Sequence, residues 1–351
     1  MFLISLLSCT VARHRARSGY RAARSGVACD YSLAATPAQP ADPHDAPIPA
    51  AATPPNNASS PSATGHDSAQ EITVEAPEPR FVAPTRRDRI GRIWVPVYIN
   101  DRGPFRLVLD SGASGSAITM QVAQALGLPL DRSPPVMLRG VTGSALAPTI
   151  RVDSMSVGDL LLKPIMLPVL ADAFGGAEGV LGANEMKDRR VFIDFRHDEI
   201  RIARSHKERA ATGFLTLPFH LGRGNLLVAH ATIDGVRATI IVDTGGQATI
   251  ANNALRSALF RTRRRMQSTP DQIIGVTADA QTGDTIAVSS IKLGPIEIRQ
   301  PGITFGEMDI FKHWNLTRRP TLLIGMETIG LFDVLIIDYK RKELQILMRG
   351  N

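Results

Sequence analysis

VPVYINDRGPFRLVLDSGAS (residues 95–114) and VAHATIDGVRATIIVDTGGQ (residues 228–247) are one pattern written twice. Each is an alternating strand, a turn at residues 101–103 or 234–235, and a second apolar strand running into Asp-Ser/Thr-Gly. Working outward, every later block recurs in order. A short helical pattern, TMQVAQALGL, stands beside ANNALRSALF; RGVTGSA and IGVTADA repeat Gly-Val-Thr inside a strand-turn-strand pattern. MSVGDLLLKP matches IKLGPIEIRQ, GVLGANEM matches LLIGMETI, and VFIDFRHDEIRI matches VLIIDYKRKELQIL. The offset between copies is 133 at Asp110/Asp243, 135 at Gly140/Gly275, 136 at Gly158/Gly294 and 143 at Gly182/Gly325, so the second copy carries extra residues near Met308 to Pro320. A tandem duplication of a unit made of short period-2 or continuously apolar runs predicts a mainly β, two-lobed body with a few short helices.

Composition sets the limits around that body. With 351 residues, 44% hydrophobic and 21% charged, the chain can furnish a packed core. The expected division is a targeting-like segment and Ala/Pro/Ser linker over residues 1–80, a first lobe over 81–210 and a second over 211–351. Both cysteines, Cys9 and Cys29, precede the body, which excludes a disulfide framework or a cysteine zinc site there. The net charge of +7 divides into −1 over residues 1–80 (six Arg against seven Asp and Glu) and +8 over the rest. Arg256, Arg261, Arg263, Arg264 and Arg265 lack the interleaved aromatics of a nucleic-acid surface; no nucleic acid is expected, and a solvated face is preferred to an anionic partner. Residues 1–12 are apolar but shorter than the roughly 20 residues of a membrane span. Their arginines follow the apolar run instead of preceding it, which leaves export to the periplasm or envelope open. Residues 34–70 read as a spacer too poor in apolar residues to order itself.

The paired carboxylates carry the chemistry. A buried aspartate is costly unless partnered. If the copies pack about a pseudo-twofold axis, Asp110 and Asp243 meet, cannot both ionise readily, and share one proton. That pair suits hydrolysis by activated water, with no metal and no cofactor. Gly112 and Gly245 permit a tight turn, and the hydroxyls of Ser111 and Thr244 can brace it. No His-Glu-x-x-His, Cys-x-x-Cys or Gly-x-Ser-x-Gly occurs, so the local geometry of zinc and serine hydrolases is missing.

The duplicated Asp-Ser/Thr-Gly, together with Val180-Leu181-Gly182 and Leu323-Ile324-Gly325 downstream, resembles the retropepsin and pepsin group of aspartic proteases, in the bacterial single-chain form with the unit duplicated. The likeness covers residues 90–350. It implies a bilobal acid-protease fold, Asp110 and Asp243 as the catalytic pair, Ser111 and Thr244 as interlobe bridges, and Gly182 and Gly325 in ψ-shaped loops. It also implies flaps at Gly140, Val141 and Thr142 and at Gly275, Val276 and Thr277, a peptide or protein substrate, and a monomer, since one chain supplies both halves. Ala113 and Gly246 follow the triplets, so neither copy has a hydroxyl there, and neither flap has a tyrosine; both features lean toward the retroviral style. The implied activity is endopeptidase. The alternative is a catalytically silent peptide-binding module of the same shape. Asp194 and Asp338, in matching FIDF and IIDY contexts, read as structural carboxylates beside hairpins. Residues 222–225 (GRGN) read as a turn, Trp94 as core or lobe edge, and His313-Trp314 as a possible lining of a substrate pocket.

Overall fold

The computed structural model describes residues 2–3, 81–84, 86–87, 91–130, 134–157, 160–162, 164–170, 176–206, 211–262, 267–275, 277 and 279–349. Cys9, Cys29, the spacer, Arg263, Arg264, Arg265 and Val276 lie outside the described residues.

In the first lobe, β1 (Ile93–Ile99) buries Ile93, Val95, Val97 and Ile99 on one face, as its period-2 pattern demands. It turns antiparallel into β2 (Arg102–Leu109), whose last three residues are all buried because neighbours cover both faces. Next come β3 (Ala117–Thr119) and α1 (Met120–Leu126). Thr119 caps that helix by accepting from Val122 N, and Gly127 ends it in the left-handed region at φ 65°. β4 (Gly179–Leu181) then inserts between β2, to which it is parallel, and β3, to which it is antiparallel. A hairpin of β5 (Arg189–Asp194) and β6 (Glu199–Arg204) follows.

The second copy repeats the plan. After β7 (Leu215–Pro218), the hairpin of β8 (Leu227–Ile233) and β9 (Val236–Val242) leads to β10 (Ile250–Ala251) and α2 (Asn253–Thr262). Beyond α3 (Asp309–His313), β11 (Thr321–Ile324) slots between β9 (parallel) and β10 (antiparallel) just as β4 does. α4 (Met326–Ile329) and the hairpin of β12 (Phe332–Asp338) and β13 (Glu343–Met348) complete it.

One antiparallel sheet, ordered β7, β13, β12, β5, β6 and Phe81–Pro84, joins the copies. At its centre Arg190 pairs with Asp338, Phe192 with Ile336 and Asp194 with Val334. Exchanging the copies maps this register onto itself, so a pseudo-twofold axis passes between Phe192 and Ile336. The architecture is mainly β and bilobal, with a few short helices.

The register also corrects the gap-free alignment of the two opening hairpins, which set Val95 against Val228. A bulge between Val97 and Ile99 gives the first hairpin one extra residue. Counting back from each aspartate, the pair Val95–Leu107 corresponds to Ala229–Ile240, and Val97–Phe105 to Ala231–Ala238.

Candidate active site

β2 and β9 end at the same place on either side of the axis. Asp110 and Asp243 are fully buried there, each with its backbone amide tied to the adjoining central strand: Asp110 N donates to Leu181 O and Asp243 N to Ile324 O, both at 3.0 Å. The tight turn each glycine permits folds two amides back onto each carboxylate. Asp110 Oδ1 accepts from Gly112 N (2.7 Å) and Ala113 N (3.0 Å), and Asp243 Oδ1 from Gly245 N (2.9 Å) and Gly246 N (3.1 Å). The copies interlock at this point, because a Cβ on Gly245 would overlap the Asp110 carboxyl. Burial, then the charge of Asp243, then a hydrogen bond with its side chain push the Asp110 carboxyl well above the usual carboxylate range, against the opposing pull of the two amides.

Four crossed hydrogen bonds hold the two turns together. Ser111 N donates to Thr244 Oγ1 (3.0 Å) and Thr244 N to Ser111 Oγ (3.1 Å). Each hydroxyl then donates across the axis, Ser111 Oγ to Val242 O and Thr244 Oγ1 to Leu109 O, both at 2.8 Å. Every hydroxyl both accepts and donates, so these buried polar groups are satisfied and fix the separation of the turns.

Gly182 and Gly325 stand immediately behind, where only a hydrogen fits: a Cβ would strike the Gly115 backbone in one copy and Gln247 and Ala248 in the other. Gly182 N donates to Ser116 Oγ (3.1 Å) and Gly325 N to Thr249 Oγ1 (3.3 Å), two hydroxyls that no motif marks. Their outer partners differ. Thr249 Oγ1 meets Thr328 Oγ1 at 2.8 Å, whereas Ser116 hydrogen-bonds Glu185, whose carboxyl burial pushes up to about 6. Because the folded-state value is raised, Glu185 stabilises the fold below its ordinary value, and that contribution is lost as pH rises toward 6. Glu185→Gln should therefore leave the melting temperature little changed at pH 4 and raise it at pH 7.5, by the equivalent of about 2 kcal/mol, in paired thermal melts. Tyr339 is buried near enough to Asp110 and Glu185 to feel both charges; burial first, then those charges, push its phenol upward.

Two hairpins carry the Gly-Val-Thr elements. In the first, strands Val136–Arg139 and Ser144–Ala147 are closed by Gly140 N donating to Gly143 O; in the second, Ser268–Ile274 and Ala280–Ala287 are closed by Gly275 N donating to Asp279 O. The tips touch. Gly275 abuts Thr142, and Gly143 abuts Thr277 and Asp279, with no room for a Cβ on either glycine. The first tip is seated in the second lobe: Val141, 1% exposed, packs with Leu226, Ile273, Ile310 and Phe311, and its carbonyl accepts from Ile310 N at 3.2 Å. Ile310 and Phe311 belong to α3, within the stretch that lengthens the second copy. Val141→Ala should speed amide hydrogen exchange over residues 139–144 about tenfold, the opening penalty falling by about 1.5 kcal/mol as two methylene-sized groups are lost.

The residues singled out in sequence thus meet as follows: Asp110, Ser111, Gly112, Asp243, Thr244 and Gly245 at one interface, Gly182 and Gly325 behind it, and Gly140, Val141, Thr142, Gly275 and Thr277 in the hairpins whose tips touch. His313 lies within electrostatic reach of Arg139 and Arg223; burial first, then those cations, lower its pKa. Residues 222–225 form a turn, as expected, and Gly224 presses on Ser114 across the lobes. Asp338 accepts from Ser205 Oγ (2.7 Å) and pairs with Arg190 (3.3 Å), and Asp194 accepts from the amides of Arg196 and His197; both are hairpin carboxylates. Arg256 is engaged with Asp284 at 2.7 Å. Trp94 is half-buried beneath Arg106, 4.9 Å from its ring. Among the described residues no cluster of His, Cys, Asp or Glu has metal-ligating proximity, and no helix is long and apolar enough to cross a membrane.

Comparison with known proteins gives three findings. A family model described as aspartyl protease matches the chain twice, over residues 95–184 and 229–328. No curated protein sequence matches it. Among solved structures, the chain is similar to basic 7S globulin from soybean, at 9% identity and a TM-score of 0.46, over 78% of this chain and 97% of that one.

Proposed function

We propose, since the chain belongs to the aspartyl protease family, that it is an endopeptidase hydrolysing peptide bonds through a water activated between Asp110 and Asp243. The observation that carries the reading is the convergence of two equivalent carboxylates, each held by two turn amides, with the pKa of Asp110 raised by burial and by its neighbour. One proton is then shared by the pair. The ionised carboxyl takes a proton from water, whose oxygen bonds to the scissile carbonyl carbon. The protonated carboxyl gives its proton to the carbonyl oxygen, forming a neutral tetrahedral diol. The carboxyl now protonated gives its proton to the amide nitrogen as the C–N bond breaks, while the other carboxyl takes a proton from one diol hydroxyl; an amine and an acid leave, and the pair again holds one proton. The two touching hairpins, acting as flaps, would hold a substrate extended by strand-like hydrogen bonds and exclude water from it on closure.

The test is cleavage of an unstructured polypeptide by purified protein across pH 3 to 8, with products mapped by mass. Hydrolysis should fall as pH rises through the raised carboxyl value, since the shared proton is then lost, and should fall again in strong acid as a second proton joins. Thermal stability should decline over the same upper window, because the folded state holds a proton that the unfolded chain releases. Saturable peptide binding with no product at any pH would instead favour the silent module, the reading that Gly246 and the seated first hairpin keep in view.

A further inference from the structure

The second lobe contains a cavity that the hydrolytic reading does not use. It has a volume of about 260 Å³ and lies between the lobe's own sheet, which contributes Ile240, Val242 and Ile324, and the joining sheet, which contributes Leu335, Leu344 and Ile346. The corrected register explains why it exists. Where the first lobe fills the space over its hairpin with Val95, Val97 and Phe105, the second has Ala229, Ala231 and Ala238. Ala229 lines the cavity, and Ala231 and Ala238 line a wider polar hollow that shares His230 and Gly294 with it.

That hollow is basic. Arg237, Lys292 and Arg319 line it with His230. Lys292 is shared with Glu297 at 3.5 Å, while Arg237 and Arg319 make no ion pair among the described residues. An apolar void forfeits the contacts its walls would otherwise make, stays dry, and accepts apolar guests. An apolar chamber next to a cationic mouth matches one chemistry at both ends.

We propose that this is a binding site for a single-chain amphiphile, an alkyl tail inside the lobe and an anionic head, carboxylate or phosphate, among Arg237, Lys292 and Arg319. Scaled from the roughly six carbons of the benzene that an apolar cavity of about 150 Å³ accepts, the chamber takes about ten, which selects medium-length chains. The inner wall abuts the active site without opening into it: Val242 and Ile324 directly precede Asp243 and Gly325, and successive side chains of a strand point to opposite faces.

The experiment is calorimetric titration of the full chain with a series of alkyl carboxylates from hexanoate to hexadecanoate, with decyl phosphate and decanol alongside. Affinity should tighten about fourfold per methylene and level off near ten carbons. Arg237→Glu combined with Arg319→Glu, both at exposed positions, should weaken decanoate or decyl phosphate at least tenfold and leave decanol unchanged. Ala229→Leu, which refills the chamber, should abolish binding of all three; a retained melting transition in that variant separates filling from misfolding. Whichever anionic probe binds more tightly identifies the head group. No saturable binding by any probe, or affinity that keeps rising to sixteen carbons and ignores both variants, overturns the proposal. Neither readout depends on peptide hydrolysis.

Discussion

Asp243→Asn and Asp110→Asn each lower peptide hydrolysis by about a thousandfold or more, the upper range for loss of a positioned acid or base, while the protein melts no earlier than the parent. An amide can neither take the proton from water nor hold one to give to the carbonyl oxygen. Its oxygen can still accept the paired turn amides, so the contacts of 2.7 and 3.0 Å at Asp110, and of 2.9 and 3.1 Å at Asp243, are kept. Replacing one carboxylate also removes a buried like-charge repulsion, and the melting temperature should rise above the pH at which the shared proton leaves. Activity and stability thus move in opposite directions, which misfolding cannot imitate. The double variant should be scarcely worse than either single one, because the two groups act as a unit. Initial rates and thermal melts of the three variants check this, and undiminished hydrolysis in either single variant removes that residue from the mechanism.

Gly245→Ala is the second large effect. The added methyl falls on the Asp110 carboxyl, which the amides of Gly112 and Ala113 prevent from moving aside. Gly245 cannot retreat either, since its amide holds Asp243 and the neighbouring Thr244 is bonded across the axis to Leu109 and Ser111. The two turns must separate, and a displacement of about 1 Å is expected to cost about a hundredfold in kcat, along with a lower melting temperature. Gly302→Ala is the control: its Cβ would meet only a Thr285 methyl, at an ordinary 3.6 Å, and both quantities should stay near parent values. Steady-state kinetics and melts of the pair distinguish the crowded dyad from a general penalty on glycine replacement.

Much of this arrangement was legible before any coordinates because it is repeated. A lone Asp-Ser-Gly marks a turn; two of them, each after an apolar strand and each followed by an apolar-apolar-Gly element, constrain one another. The crossed hydroxyls of Ser111 and Thr244 follow from the same symmetry. What was hidden lies where the copies differ. Glu185 occupies the place of Thr328, and nothing in ANEM compared with METI reveals that its carboxyl is buried beside Ser116. The seat of Val141 depends on a segment only the second copy possesses, so no internal comparison exposes it. Two of the three alanines, Ala229 and Ala231, were concealed by a bulge that moves one strand a single place, enough to set Val95 against Val228 instead of Ala229.

The grip of α3 on the first hairpin bears on how a polypeptide would thread the cleft. Two identical halves would present the same face to a guest running either way, and nothing would choose its polarity. Here the tip of the first hairpin leans on α3, an element of the longer second copy, so the two halves are inequivalent. Residues upstream and downstream of the cut bond should accordingly be read by different rules, and a retro-sequence peptide should not substitute for its parent.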